Sequence, residues 1–196
     1  MEKKNYPFPD AELQSESPVT KAFRAAGVRF LHAAFDHVHT LKYRRNSGKD
    51  DCRLVLKEQC GTCSTKHALL IELVQENKIP GFQLMQCMFR LSDETVPGVG
   101  KILEPFGLNY IPEIHNYIAY NGEMVDITSP ALRPVPAELQ QHIKAVAPVS
   151  ITKAKMKDHQ EHLKKWREKS PDAKALPLET LWKIREACIV RLGELL

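Results

Sequence analysis

The spacing of apolar residues along the chain predicts four helices. Apolar side chains recur every three to four positions in residues 19–43, which predicts a first helix. Residues 63–77 are apolar almost all round, which is typical of a buried central helix. Near the end of the chain, Lys153–Lys169 and Leu178–Leu195 also have helical spacing and are separated by Ser170-Pro171.

Alternating and turn-rich patterns predict an antiparallel sheet between these helices. Phe82–Leu91 has large apolar residues on both alternating faces, as an interior strand does. Residues 113–120 and 123–128 flank Asn121-Gly122, the strongest short-range signal for a β-hairpin. Residues 52–58 form an apolar patch that fits either a helical turn or a strand. The sequence therefore indicates an α+β fold in which a central helix packs on an antiparallel sheet.

The same patterns divide the chain into three parts. Residues 1–18 are polar, contain three prolines and are interpreted as a loosely attached arm. Residues 19–130 form the predicted core, in which the turn-rich segment 92–112 is a long loop of the kind that often covers a site. Residues 131–196 are predicted to be a helical extension packed on the core, whose last helix contacts the core or a second copy of the chain.

Composition narrows the class of protein. The chain of 196 residues is 43% hydrophobic and 27% charged, which fits one globular domain. Its net charge of +4 is too small to indicate a nucleic-acid partner. No apolar run is long enough for a membrane partner, and the first residues have no apolar core typical of an export signal. Five cysteines, an odd number, favour free thiols in a reducing cytoplasm.

Cys63 is the candidate nucleophile. It follows a glycine at the predicted start of the central helix, with Thr62 as the N-cap. The positive end of a helix dipole favours a thiolate, and the amides there can stabilise an oxyanion. Gln59, just upstream, is a candidate further oxyanion donor.

The predicted hairpin places a histidine and a carboxylate on one face of the sheet. A two-residue loop at Asn121-Gly122 makes Tyr117 face Asp126. His115 has the parity of Tyr117, so it lies diagonally across from Asp126, about 7–8 Å away at Cα. Asp126 can then hold one imidazole nitrogen of His115 and leave the other for a thiol. Tyr117 is a candidate supporting residue. The full set of predicted facing pairs is Tyr120–Glu123, Ala119–Met124, Ile118–Val125 and Tyr117–Asp126.

Several motifs of residues 25–130 resemble the transglutaminase-like superfamily. Its members carry a Gly-x-Cys helix start, an Ile-Pro before the next strand, and histidine and aspartate on successive strands. The matching residues are Gly61-Thr62-Cys63-Ser64-Thr65-Lys66-His67-Ala68-Leu69-Leu70, Lys78-Ile79-Pro80-Gly81, His115 and Val125-Asp126-Ile127-Thr128-Ser129-Pro130. Where members often have tryptophan, this chain has Ser64, Tyr117 and Met124.

The resemblance implies a papain-type core and a thiol-dependent enzyme. Cys63 would be the nucleophile, His115 its base and Asp126 the group that orients the histidine. The implied reaction is acyl transfer or hydrolysis at an amide bond of a peptide, a protein or a small molecule, with no metal or organic cofactor. A catalytically inactive relative that only binds is an alternative within the same superfamily.

Other motifs support different interpretations. Cys60-Gly61-Thr62-Cys63 is a C-x-x-C before a helix, as in thiol–disulfide oxidoreductases, although these have a βαβ unit ahead of the motif. Cys60, Cys63 and His67 have zinc-ligand chemistry, with Cys87 as the candidate fourth ligand. His159 and His162 lie among many lysines and are interpreted as part of a solvated helix face.

Overall fold

The computed structural model describes residues 5–48 and 50–196, so the first four residues of the predicted arm lie outside it. The described helices are α1 (Pro18–Ala25), α2 (Leu31–Thr40), α3 (Leu54–Glu58), α4 (Cys63–Glu76), α5 (Gly100–Leu103), α6 (Lys153–Lys169), α7 (Pro171–Lys174) and α8 (Leu178–Leu195). The described strands are β1 (Lys42–Tyr43), β2 (Cys60–Gly61), β3 (Phe82–Leu91), β4 (Ile111–Tyr120), β5 (Glu123–Val125) and β6 (Gln141–Val146).

The main sheet is antiparallel and has the strand order β5-β4-β3-β6. β3 and β4 pair over ten residues each and form its centre. A separate parallel ladder joins the short strands β1 and β2 just before α4. The predicted mixture of helices with an antiparallel sheet is therefore confirmed.

The central helix α4 lies where the sequence predicts it. It begins at Cys63, and eleven of its fourteen residues are buried. Thr62 occupies the N-cap position, and its backbone N–H donates to the Thr65 hydroxyl over 3.0 Å. The ammonium of Lys66 is satisfied by the carbonyl oxygens of Leu41 and Thr128, at 2.6 and 2.8 Å. The start of α4 is thus fixed by side chains on both sides.

The hairpin between β4 and β5 has the predicted register. Tyr120, Ala119 and Ile118 pair with Glu123, Met124 and Val125. Asn121 and Gly122 both have positive φ angles, 47° and 91°, as a two-residue hairpin loop of this type requires. β5 ends at Val125, so the predicted fourth pair is not part of the ladder and Asp126 is the first residue beyond it.

The single helix predicted over residues 19–43 is wrong, because the chain forms two helices there. α1 ends in a Schellman motif, in which the Val28 N–H donates to the Phe23 carbonyl and the Gly27 N–H to that of Arg24. Gly27 adopts the left-handed conformation that this motif requires, with φ of 81°. The periodic apolar pattern continues through the break between α1 and α2, so the pattern alone does not predict where α1 ends.

The N-terminal arm is not loosely attached in its described part. Tyr6, Phe8 and Leu13 are buried in the main hydrophobic cluster. The ring of Phe8 packs against those of Phe35 and Phe82, at centroid distances of 4.7 and 4.9 Å. The few large apolar residues of this segment therefore belong to the core. Because the segment is polar as a whole, its composition does not reveal this.

The predicted long loop 92–112 is largely ordered by packing. It contains α5 and a 3₁₀ turn at Glu104–Phe106, and its residues Val99 and Leu103 are buried against the C-terminal helices. The open choice for residues 52–58 is resolved as the short helix α3.

The C-terminal helices α6 and α8 have the bounds expected from the apolar spacing, and they share a hydrophobic cluster with residues of β3 and β4. The apolar pattern does not predict the edge strand β6, because its residues are mostly exposed; this strand pairs with β3. Within the described residues, no helix combines the length and apolar character needed to cross a bilayer.

Candidate active site

Cys63 lies at the N-terminus of α4 and is only 7% exposed. The Ser64 hydroxyl lies 3.9 Å from its sulfur, and the side chain of His115 and the backbone N–H of Asn116, both on β4, stabilise the sulfur in its charged form. These contacts join the first residue of the central helix to the central strand of the sheet.

The imidazole of His115 lies between the thiol and a carboxylate. Its Nε2 is 2.8 Å from Oδ2 of Asp126, which leaves Nδ1 for the sulfur of Cys63. Asp126 is held in turn by Thr128, whose backbone N–H and hydroxyl donate to Oδ1 over 2.9 and 2.7 Å. The structure thus brings together the three residues predicted from the hairpin geometry.

Charge coupling among these groups favours a thiolate–imidazolium pair. Burial alone would raise the pKa of the Cys63 thiol, but the positive charges of Lys155 and His115 outweigh it and lower that pKa to about 6. Burial opposes protonation of His115, but Asp126 and the thiolate raise its pKa to about 10. Although burial opposes its ionisation, Asp126 has a pKa well below its usual range because of His115.

Lys155 on α6 is a member of the site that the sequence reasoning missed. Its ammonium donates to the Ser64 hydroxyl over 2.6 Å, and that oxygen lies 3.9 Å from the Cys63 sulfur. Lys155 is 9% exposed. Its burial follows a stripe of one helix face, in which His159 and Leu163 are buried at the following four-residue steps.

A cavity of about 470 Å³ separates the core from the C-terminal helices and reaches the sulfur of Cys63. α4 contributes Ser64 and Thr65 to its wall, and α6 contributes Lys155 and Met156. Trp182 of α8 also lines it. A volume of this size falls in the range of sites for small molecules and short peptide segments.

No protein-family model, curated protein or solved structure matches the chain.

The prediction of Gln59 as an oxyanion donor is wrong. Gln59 terminates α3 in the left-handed conformation, with φ of 54°, and its side chain is exposed and donates to the Leu56 carbonyl over 2.5 Å. The donors that do face the sulfur come from Asn116 and His115.

Tyr117 lies beside His115 and is not among the residues that line the cavity. It is buried, and its ring stacks at 20° to that of His115 with centroids 6.3 Å apart. It therefore restricts the imidazole from the side.

The interpretation of the α6 histidines as solvated is wrong for His159. This residue is 2% exposed, and its Nε2–H donates to the Pro112 carbonyl over 2.8 Å. The ring also packs against Trp182. His162 is half-buried and bonds through Nδ1 to the backbone of Asp158. One face of α6 thus belongs to the interior.

Cys60 and His67, which suggested disulfide exchange or zinc binding, each interact with other groups. Cys60 is a free thiol that accepts from Asn46 Nδ2 and bonds to the Arg44 side chain. Both ring nitrogens of His67 are used, since Nε2 accepts from the Ile127 N–H and Nδ1 donates to the Cys63 carbonyl. No group of three or more metal-ligating side chains is found in residues 5–48 and 50–196.

Glu113, two residues before His115 on β4, anchors the C-terminal part. Both of its carboxylate oxygens accept from Arg185 on α8, at 2.6 Å each. Burial opposes its ionisation, but the charge of Arg185 lowers the pKa of Glu113 to about 2. The strand that carries His115 is therefore tied to α8 by a buried ion pair.

Proposed function

We propose that this chain is a cysteine hydrolase or acyltransferase that cleaves an amide or peptide bond with Cys63, His115 and Asp126. The observation that carries the proposal is the His115 imidazole, which lies between the Cys63 thiol and the Asp126 carboxylate; the three residues line one small pocket, and Cys63 also lines the larger cavity. A nucleophile, a base and an orienting acid in this order are the parts that a thiol triad needs.

The reaction follows from the charge state of the site. The Cys63 thiolate attacks the carbonyl carbon of the substrate, and the protonated His115 gives its proton to the leaving amine. The product is a thioester on Cys63. Water, or an amine, then attacks the thioester while His115 takes up its proton.

We also propose that residues 19–130 form a transglutaminase-like, papain-type core. The order of elements supports this: a buried helix begins at the cysteine, and the histidine follows on an antiparallel strand. Asp126 comes directly after the next strand of the hairpin. This is the arrangement that the motif resemblance implies.

The walls of the cavity support a short peptide or small amide as the substrate. Tyr43, Met156 and Trp182 offer apolar surface in the same cavity that Cys63 lines. Sites of this kind bind an apolar group by shape and orient the reacting bond with a few polar atoms.

The free state of all five cysteines supports action in a reducing compartment such as the cytoplasm. A nucleophilic thiolate would be lost to disulfide formation under oxidising conditions.

A pH-titrated alkylation experiment tests the proposal. Wild type, His115→Ala and Cys60→Ser are labelled with iodoacetamide from pH 4.5 to 9.5, and the rate at Cys63 is read by peptide mass spectrometry. In wild type, we expect the rate to rise with an inflection near pH 6, where the Cys63 thiol ionises. In His115→Ala, the thiol regains an ordinary or higher pKa, so the rate at pH 6.5 falls about 100-fold.

Cys60→Ser is the control that separates an oxidoreductase from a hydrolase. We expect it to keep the wild-type profile, because Cys60 contacts Asn46 rather than the triad. An ordinary thiol profile in wild type, unchanged by His115→Ala, is the result of an inactive binding protein and contradicts the proposal.

A further inference from the structure

The ammonium of Lys155 is buried without a carboxylate beside it. Of the other cations of the cavity wall, Arg45 is neutralised by Glu186 and Arg185 by Glu113, while Lys153 is exposed to solvent. For Lys155, no carboxylate oxygen of the described residues lies within 4.0 Å, and its hydrogen bond goes to the neutral Ser64 hydroxyl. A buried charge is costly unless an opposite charge is near, so an anion that forms in the site is stabilised by this ammonium.

The Cys63 sulfur is in position to be that anion. The Ser64 hydroxyl contacts both groups, 2.6 Å from the ammonium and 3.9 Å from the sulfur. Because this hydroxyl donates its own proton to Asn116 Oδ1 over 3.0 Å, it accepts from Lys155. The network orients the ammonium toward the head of α4, and Lys155 and Cys63 line the same cavity.

The charges that face Cys63 come from several elements. His115 and Asp126 form one pair of opposite charges, and the thiolate and Lys155 form the other. The remaining titratable groups that interact with the sulfur are Lys66, Tyr43 and Cys87. Tyr43 and Cys87 are protonated, and the ammonium of Lys66 is held by two backbone carbonyl oxygens, so Lys155 is the cation that acts most strongly on the thiolate.

Two further titratable groups interact with Lys155 at longer range. Glu113 is one of them, but its carboxylate is already paired with Arg185. His159 is the other, and its burial lowers its pKa, so it adds no second cation at neutral pH. Neither group replaces the thiolate as the partner of the ammonium.

We propose that Lys155 is a fourth catalytic residue, which holds the Cys63 thiolate and then the oxyanion that forms when this thiolate attacks the substrate. The inference rests on the proposed function. It makes the C-terminal helical extension part of the catalytic machinery, because α6 supplies the ammonium and α4 supplies the sulfur.

The role follows from where the negative charge moves. As the sulfur lone pair forms the S–C bond, the carbonyl π pair moves to oxygen, so the charge leaves sulfur and appears on oxygen. Because Lys155 and Cys63 line the same cavity, the ammonium attracts both anions without moving far. When the intermediate collapses, the oxygen pair reforms the carbonyl, the C–N bond breaks, and the amine takes the proton of His115.

Lys155→Met and Lys155→Arg test this role with two readouts. Iodoacetamide alkylation of Cys63 reports only the thiolate, whereas cleavage of 4-nitrophenyl acetate also forms an oxyanion. In Lys155→Met, we expect the alkylation inflection to move upward by about one pH unit or more. At pH 9 the Cys63 thiol is largely ionised in both wild type and Lys155→Met, so their alkylation rates are nearly equal. Ester turnover of the variant still stays about 100-fold below that of wild type. Lys155→Arg keeps the charge and should restore most of both values.

The controls separate this role from packing and from the proposed function. Lys157→Met removes an exposed lysine from the same helix and should change neither readout. Lys155→Gln replaces the methionine variant if the latter does not fold. Wild-type values for both readouts in the uncharged variant would overturn the inference. A shifted inflection with unchanged ester turnover would overturn the oxyanion role. If His115→Ala also leaves alkylation unchanged, the triad itself fails.

Discussion

Asp126→Asn is expected to lower ester or amide turnover by about three to four orders of magnitude, since a carboxamide reverses the tautomer of His115. The oxygen of the new carboxamide would keep the hydrogen bonds from Thr128, which now go to Oδ1 of the aspartate. Its NH₂ group would then face His115 Nε2, which must accept. The proton of the neutral imidazole moves to Nδ1, so this nitrogen can no longer take a proton. Steady-state cleavage of 4-nitrophenyl acetate measures the loss.

Asp158→Asn is the matched control for this variant. Asp158 is also a carboxylate with hydrogen-bonded partners, Gln86 and Lys144, but it lies away from the triad. We expect its turnover to stay near that of wild type. Turnover of Asp126→Asn within tenfold of wild type would show that the carboxylate does not set the state of His115.

Arg185→Met is expected to destabilise the fold by about 3–5 kcal/mol, because it leaves the buried carboxylate of Glu113 without its cation. The two side chains are 9% and 5% exposed and share two hydrogen bonds of 2.6 Å. Urea unfolding at pH 7 measures the loss. The double variant Arg185→Met, Glu113→Gln should recover part of it, since no buried charge remains.

The destabilisation expected for Arg185→Met depends on pH, and the pKa of Glu113 determines the direction of this dependence. The folded-state pKa of Glu113 is lowered to about 2, so its stabilising contribution is present above the ordinary carboxyl range and is lost as the pH falls toward 2. In Arg185→Met the buried carboxyl protonates more readily, and the destabilisation is smaller at pH 4 than at pH 7. Arg191→Met breaks an exposed pair with Glu194 on the same helix and should cost less than about 1 kcal/mol.

Local patterns are sufficient to predict the triad geometry. The start of α4 is encoded by Thr62 before an apolar run, and the hairpin register by Asn121-Gly122. Once the register is known, the two-residue period of a strand assigns His115 and Asp126 to one face. Each inference spans only a few residues, which is why a single sequence carries it.

Lys155 could not be predicted in the same way, because its position depends on long-range packing. It lies 91 residues from Ser64 and is one of many lysines in α6. Only its position on the same helix face as His159 and Leu163, at four-residue steps, distinguishes it from the other lysines. A helix face with a single apolar residue is a weak signal of burial. Gln59 failed for a related reason: the direction of its side chain depends on where α3 ends, and the sequence left residues 52–58 open.

Glu113 and His115 lie close together on one strand, so a substitution that changes the stability of the fold at Glu113 can also change the reactivity of the thiol. Replacing a buried ion pair by apolar residues often makes a protein more heat-resistant, and the Glu113–Arg185 pair is an obvious target for such engineering. Here the exchange would alter the electric field two residues from His115 and loosen α8, which lines the cavity. Thermostable variants selected at this strand should therefore be assayed for nucleophile reactivity as well as for melting temperature.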